Sequence, residues 1–468
     1  MILNVKRSLV ILPILIATNF VYANTSQTVP SDRGGPRFIP WINDYSFLKD
    51  EENRMGTWQE KLNYIPIGQN TDNYLTIGGE VRYYAQYWEH VLLGVRDNDR
   101  NDSIQQRLRV YGDLHLGENL RVFTEVSDNW EFDAEFPTPS NYGAFDIQQF
   151  FLDYKVDLGE NTSLNLRPGR FNMPLGSGIL MGTRDGTNVW YTYDGLRTTL
   201  NHKDIKVDLF SVKPTKLKRG SFDDTTDKTR KLDGIYITKN LPNKDKADIY
   251  FYDMEHKTNV SYPNLIGEQD RKTYGVRYYG KKQDIDYDLE GIYQNGDMAQ
   301  ADISAYGLLA NVGYNFSTPY KTRLGVRGVM LSGDDNVNDN KLKTFESPFP
   351  RTALFTMSGL LGLMNITQIE PSVTVVLNPK LNFKASHSKF FKSESEDAIY
   401  YGGTGRPLAL SNSNDKELAD ISELQINYLP NRNLNFNLSL SYLKAQDALS
   451  SVGGKDTKYA GFWTQFKF

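Results

Sequence analysis

The sequence predicts an all-β protein: a transmembrane antiparallel β-barrel of about 18 strands, with short periplasmic turns and long extracellular loops. Three observations predict it. Apolar and polar residues alternate with a period of two along most of the chain. The connections between these runs are by turns short and long. The sequence closes on KYAGFWTQFKF, where Phe462, Phe466 and Phe468 share one face of an alternating segment. A mean hydropathy of −0.53 does not argue against a membrane, because barrel strands hide their lipid-facing stripe by alternation.

The chain opens with MILNVKRSLVILPILIATNFVYA, in which Lys6 and Arg7 precede an apolar run from Leu9 to Phe20. Pro13, Thr18 and Asn19 interrupt that run, which is too short for a helical span of about 18 apolar residues, so it reads as a secretory signal cut before Asn24. The expected organisation is a signal peptide at 1–23, an N-terminal periplasmic segment at 24–74, and an outer-membrane barrel at 75–468 in a Gram-negative bacterium. The first barrel strands set the pattern. In residues 76–88, Ile77, Val81, Tyr83 and Ala85 face away from Glu80, Arg82 and Gln86. In 104–116, Leu108, Val110, Leu114 and Leu116 oppose Gln105, Arg107, Arg109 and Asp113. The same split recurs at 120–127, 150–157, 204–212, 273–281, 284–294, 321–331, 381–391 and 434–442.

Short turns are expected at 117–119, 158–162, 201–203, 240–246, 281–283, 317–320, 378–380 and 429–433, several carrying the Asn, Gly and Pro that tight turns favour. Long loops are expected at 89–103, 130–146, 172–188, 213–231, 255–271, 295–302, 332–365, 392–418 and 446–456. This ordering places both ends of the barrel chain on the periplasmic side. The segment 353–363 reads as part of a folded external loop, since a further strand there would break the alternation of short and long connections.

With Lys6 and Arg7 removed from the 53 basic residues, the 57 acidic ones leave the mature chain at a formal charge of −6, which argues against a nucleic-acid partner, since domains that bind one are usually strongly basic. The absence of cysteine excludes disulfides and a lipidated thiol. His90, His115, His202, His256 and His387 are far apart and show no metal-ligand spacing. Met181 spoils GSGILMG as a dinucleotide motif, and no Gly-x-Ser-x-Gly elbow occurs. GDDNVNDNK, from Gly333, lacks the glycine and the final glutamate of a calcium loop and reads as a solvated loop. Neither an enzyme, a cofactor nor a metal site is expected.

Strand parity sends Arg82, Arg107, Arg109, Arg121, Arg167, Arg197, Arg277, Arg323 and Arg327 to the interior, together with Glu80, Asp113, Glu125, Asp153, Asp157, Asp286, Asp288 and Glu290. The arginines could grip carboxylates of a solute bidentately, or pair across strands to brace a wide barrel. Arg170 breaks parity, and a bulge at Pro168-Gly169 would turn it inward.

Three stretches, NDYSFLKDEENRMGTWQEKLNYIPIG with YLTIGGEVR, RPGRFNMPLGSGILMGTRDGTNVWYTYDGLR, and KFFKSESEDAIYYGG, resemble the alginate export family of outer-membrane porins. The resemblance implies an 18-stranded barrel whose Arg-rich lumen passes anionic polysaccharide. It carries motif positions onto Gly79, Glu80, Arg82, Gly169, Arg170, Arg184, Asn188, Asp194, Gly195, Arg197, Asp397 and Tyr400. Phe171 and Lys392 depart from the family pattern, and Lys lacks the planar fork of Arg. The expected solute-contacting set is therefore Glu80, Arg82, Arg107, Arg109, Arg167, Arg170, Arg184, Asp194, Arg197, Arg277, Arg323 and Arg327. The expected function is a channel for anionic solutes, such as an alginate-like polysaccharide leaving the cell, and the alternative is a porin importing small carboxylates. Outer-membrane lipid, the solute and periplasmic export components are the expected partners.

Overall fold

The computed structural model describes residues 38–97, 99–351, 353–402, 406–411 and 413–468; the expected signal peptide lies outside them. Eighteen long strands, each antiparallel to its neighbours, close into one barrel. In chain order they are β1 Tyr74–Trp88, β2 Asn101–Leu116, β3 Leu120–Phe132, β4 Gly143–Gly159, β5 Thr162–Phe171 and β6 Tyr193–His202. Then follow β7 Ile205–Lys216, β8 Arg230–Asn240, β9 Lys246–Tyr262, β10 Leu265–Lys282, β11 Ile285–Met298 and β12 Ala301–Asn315. The last six are β13 Arg323–Leu331, β14 Ile366–Asn378, β15 Leu381–Phe391, β16 Glu417–Tyr428, β17 Leu434–Ala445 and β18 Thr457–Lys467. Among the described residues no helix is long and apolar enough to cross a membrane.

Closure joins β18 to β1, from Trp88↔Tyr459 to Glu80↔Lys467, and Gly79 and Phe468 exchange two backbone hydrogen bonds of 3.0 Å. Gly79 is required there: a Cβ would sit 2.6 Å from the Phe468 ring and 2.6 Å from the Arg109 carbonyl oxygen. The Phe468 ring lies 6.2 Å from Phe466 and 6.1 Å from Trp58, an aromatic group at the short-turn end. Outward positions such as Ile249, Val276, Leu308, Leu324 and Ile369 are exposed, whereas inward ones such as Arg107, Glu125, Gln149 and Gln294 are buried, so alternation sorts the two faces as expected.

All eight expected short turns join strands, but two expected loops do not exist as loops. β9 and β10 run on to a tight turn at residues 263–264, and β11 and β12 to one at 299–300. Once a hairpin rises beyond the lipid, both faces meet water or polar loops and the apolar stripe disappears. The ladder itself persists, because backbone pairing does not depend on that stripe.

The interior is filled by loops folded inward. L3 (residues 172–192) and L7 (residues 332–365) meet across it, with the Gly182 amide donating to the Phe349 carbonyl at 2.6 Å and the Arg351 amide to Gly178 at 2.8 Å. Met173, Leu180 and Met181 of L3 join Phe345, Phe349 and Leu360 of L7 in one apolar cluster with the wall residues Phe123, Phe151, Phe171 and Tyr193. L7 reaches wall residues right around the barrel: Trp88 of β1 donates to the Ser358 carbonyl, Arg271 of β10 to Thr344, and Glu423 of β16 accepts the Met357 amide. Residues 353–363 are a loop, as expected, but one that crosses the lumen instead of lying outside. Apolar side chains on a loop otherwise facing water gain by burial against the inner wall.

Candidate pore and its lining

The inward arginines fall into two groups. The first consists of braces. Arg167 binds Asp153 through two bonds of 2.7 and 2.6 Å, Arg277 binds Asp288 through 2.7 and 2.6 Å, and Arg323 reaches Asp286 at 2.6 Å. Arg197 pairs with Asp208 at 2.9 Å, and Arg121 with Asp113 at 2.6 Å. Arg327 pairs with Glu370 and donates to the Leu354 and Phe355 carbonyls of L7. These pairs place each positive charge against a carboxylate of an adjacent strand or, for Arg323, of the next but one.

The second group grips L3. Arg82 donates to the carbonyls of Asp185 and Thr187, at 3.0 and 3.1 Å, and to Asn188 Oδ1 at 2.9 Å. Arg107 holds Glu80 at 2.6 Å and donates to the Thr187 carbonyl at 3.2 Å. Arg109 donates to the Asn188 carbonyl at 3.2 Å and sets its guanidinium 3.6 Å from the centre of the Trp190 ring. Asn188, fully buried, answers from the loop: its Nδ2 lies 3.1, 3.0 and 2.9 Å from the carbonyls of Gln106, Trp130 and Asn141.

Arg170 and Asp194 stand elsewhere. Pairing of β5 with β4 and β6 keeps one register through Gly169, so the bulge expected at Pro168-Gly169 is absent and Arg170 takes the outward parity of its strand. It binds Asp194 at 2.7 and 3.1 Å on the barrel's outer side, under residues 224–226, where Thr226 also donates to Asp194 at 2.6 Å. Gly169 adopts φ +130° because the Phe150 carbonyl passes 2.3 Å from where a Cβ would be. The strand accommodates that approach by a local backbone twist, without an inserted residue.

Asp397 and Tyr400 form a latch between loops. Buried Asp397, in L8 (residues 392–416), accepts from the Asp334 amide at 2.9 Å, the Thr344 hydroxyl at 2.6 Å and the Tyr400 hydroxyl at 2.8 Å, fastening L8 to L7. Burial raises the Asp397 carboxyl above its ordinary range and pushes Asp334 up to about 6. Asp334, Asn336 and Asn338 direct side-chain oxygens into local turns and contacts of this loop.

Above L3 lies a chamber of about 590 Å³. Arg184, Lys216, Arg230 and His256 supply its basic side chains, and Trp190, Tyr191, Phe349 and Tyr401 its rings, with Glu346 also on the wall. Arg184 stacks 4.2 Å from the centre of the Tyr191 ring and donates to the Val189 carbonyl at 3.2 and 3.0 Å; burial pulls its guanidinium below the usual arginine value. Arg230 is held by Asp227 at 2.8 Å, while Lys216 is exposed. Arg184 was legible from the resemblance. Lys216, Arg230 and His256 were not, because they fall in or at the ends of stretches that read as solvated loop. Trp190 and Tyr191 lay inside the longest matching stretch and carried the available signal.

The sequence pattern described as Alginate export matches residues 73–462. Among curated proteins no relative is found by sequence. Solved Pseudomonas aeruginosa barrels share the fold. OpdO matches with a TM-score of 0.56 at 11% identity, covering 84% of this chain and 97% of that one. OccK2 (OpdF), solved in complex with glucuronate, matches at 0.54 and 10%, covering 88% and 99%. The outer membrane protein OprD matches at 0.54 and 11%, covering 84% and 93%.

Proposed function

Because the chain belongs to the alginate export family and is an outer-membrane β-barrel channel, we propose that it passes anionic, uronate-type solutes and that the chamber above L3 is where they are engaged. One observation carries this reading: Arg184, Lys216 and Arg230 converge on a space walled by Tyr191 and Phe349. A uronate presents a carboxylate to a cation and an apolar ring face to an aromatic, and such a wall offers both. The arginines braced by carboxylates supply rigidity, and Arg82, Arg107 and Arg109 hold the loop that floors the chamber. A polysaccharide would be met one or two units at a time.

The second reading, uptake of small carboxylates, is favoured by the glucuronate-bound neighbour and by how little open space the inward loops leave. The test is the reversal potential of the purified protein in a planar bilayer under a salt gradient, with polyuronate oligomers or glucuronate added to one side. Anion selectivity with block by oligomers supports the polysaccharide reading. Block by glucuronate alone supports the small-carboxylate one. In either case the double variant Lys216→Glu, Arg230→Glu is expected to lower anion preference several-fold, and cation selectivity in the parent protein would overturn both.

A further inference from the structure

The segment before the barrel does not stop at its rim. Residues 57–73 lie at the short-turn end, where the Tyr64 ring packs tilted against Tyr74 and Ile65–Pro66 pair with the start of β1. Upstream of them the chain turns into the lumen. Asn43 reaches the Tyr111 hydroxyl of β2, and the Trp41 carbonyl accepts from Arg121 of β3 at 2.8 Å. The Trp41 indole donates to Asn172, lies 4.1 Å from the Arg167 guanidinium and packs edge-on to Phe151. Phe38 arrives 4.7 Å from the Trp190 ring.

Trp190 is the meeting point. It lines the chamber above, and its ring carries both Arg109 and Phe38. Phe38, Pro40 and Asn43 face Glu80, Arg109 and Glu125 across a cavity of about 20 Å³. From these contacts we infer that Phe38–Asn43 is a displaceable plug, which closes the conducting path from the periplasmic side directly beneath the chamber floor.

Its fastening differs from that of the loops above it. L3 is tied to L7 by backbone hydrogen bonds and by three wall arginines. Among the described residues, 38–63 make no strand pairing with the wall, and the ties described there run through a side chain on one partner or both, as from Arg121 to the Trp41 carbonyl. Phe38 and Ile42 remain 40% exposed, whereas Trp190 is fully buried. Withdrawal of the segment therefore breaks no ladder of paired backbone, and it leaves L3 held to L7 and to Arg82, Arg107 and Arg109. The plug, acting on the proposed channel, would respond to whatever periplasmic component draws the chain downward.

The test rests on the channel reading and separates the two. Single-channel conductance is measured for the full protein and for the variant Phe38→Ala, Trp41→Ala, with heat-modifiable gel mobility confirming that both fold. The expected result is a several-fold rise in open probability or conductance in the variant. The parent sequence has no cysteine, so a second variant, Phe38→Cys with Trp190→Cys, can be bridged by a short dithiol-reactive linker. Bridging is expected to abolish conductance, and a cleavable linker to restore it on reduction. Equal conductance in parent, alanine variant and bridged variant would overturn the plug and leave the channel reading intact. Absence of conductance in every form, the alanine variant included, would overturn both.

Discussion

Asn188 shows how much can depend on one side chain. Its amide nitrogen faces three carbonyls from β2, β3 and the loop after β3, while its oxygen accepts from Arg82, so one side chain ties the tip of L3 to four groups around it. Asn188→Asp would set a carboxylate against those carbonyls with no proton to offer. We expect a loss of about 2–4 kcal/mol in the attachment of L3, read as faster proteolysis within residues 172–192 and a lower unfolding midpoint in detergent. Asn188 was legible as a motif position through resemblance, but its role was not, since its partners lie 47 to 106 residues away. Strand parity told which arginines face inward. It could not tell which of them meet a carboxylate and which a loop carbonyl, because that depends on where L3 and L7 fold.

At the scale of elements, the turns were legible because Gly, Asn and Pro impose local geometry, and the lipid-spanning strands because one face must be apolar. The hairpin extensions of β9–β12 were hidden by the same logic, since a ladder in water keeps no apolar stripe. The inward course of L7 was hidden too, being decided by contacts with β1, β10 and β16. The L7–L8 latch has a pH dependence whose sign follows from its carboxyls. Folding raises Asp334 from an ordinary 3.8 to about 6, so the folded form binds its proton more tightly. Between those values the latch gains stability as pH falls, and above about 6 the buried negative charge weakens it in full. The protection of amides across residues 332–345, judged from the exchange rate relative to the intrinsic rate at the same pH, is expected to be greater at about pH 5 than at about pH 8. Asp334→Asn should remove most of that difference, and an unchanged difference would place its origin elsewhere.

For the whole molecule, the seam between β1 and β18 is the contact on which closure depends, and at Gly79 it leaves no room for a side chain. Gly79→Val would drive a branched side chain into the Phe468 ring and the Arg109 carbonyl. The expected outcome is loss of the heat-resistant, fast-migrating form on detergent gels, with Gly328→Val, at a strand site in β13 with no neighbour within 4 Å, as a control for side-chain bulk alone. The barrel and its strand count were legible because a closed sheet is the one strand arrangement that satisfies every backbone group in lipid. What fills the barrel was not, since an inward loop and an outward one have similar compositions. The raised hairpin of β9 and β10, with strands of 17 and 18 residues, spans roughly 60 Å along the strand against a lipid band of about 25 Å. His256, from its upper part, stands on the chamber wall. That part of the wall, being paired backbone, has surrendered its conformational freedom in advance, so on the reading proposed above a solute meeting it need not freeze a wandering loop there, and more of the attraction between the two remains available for binding.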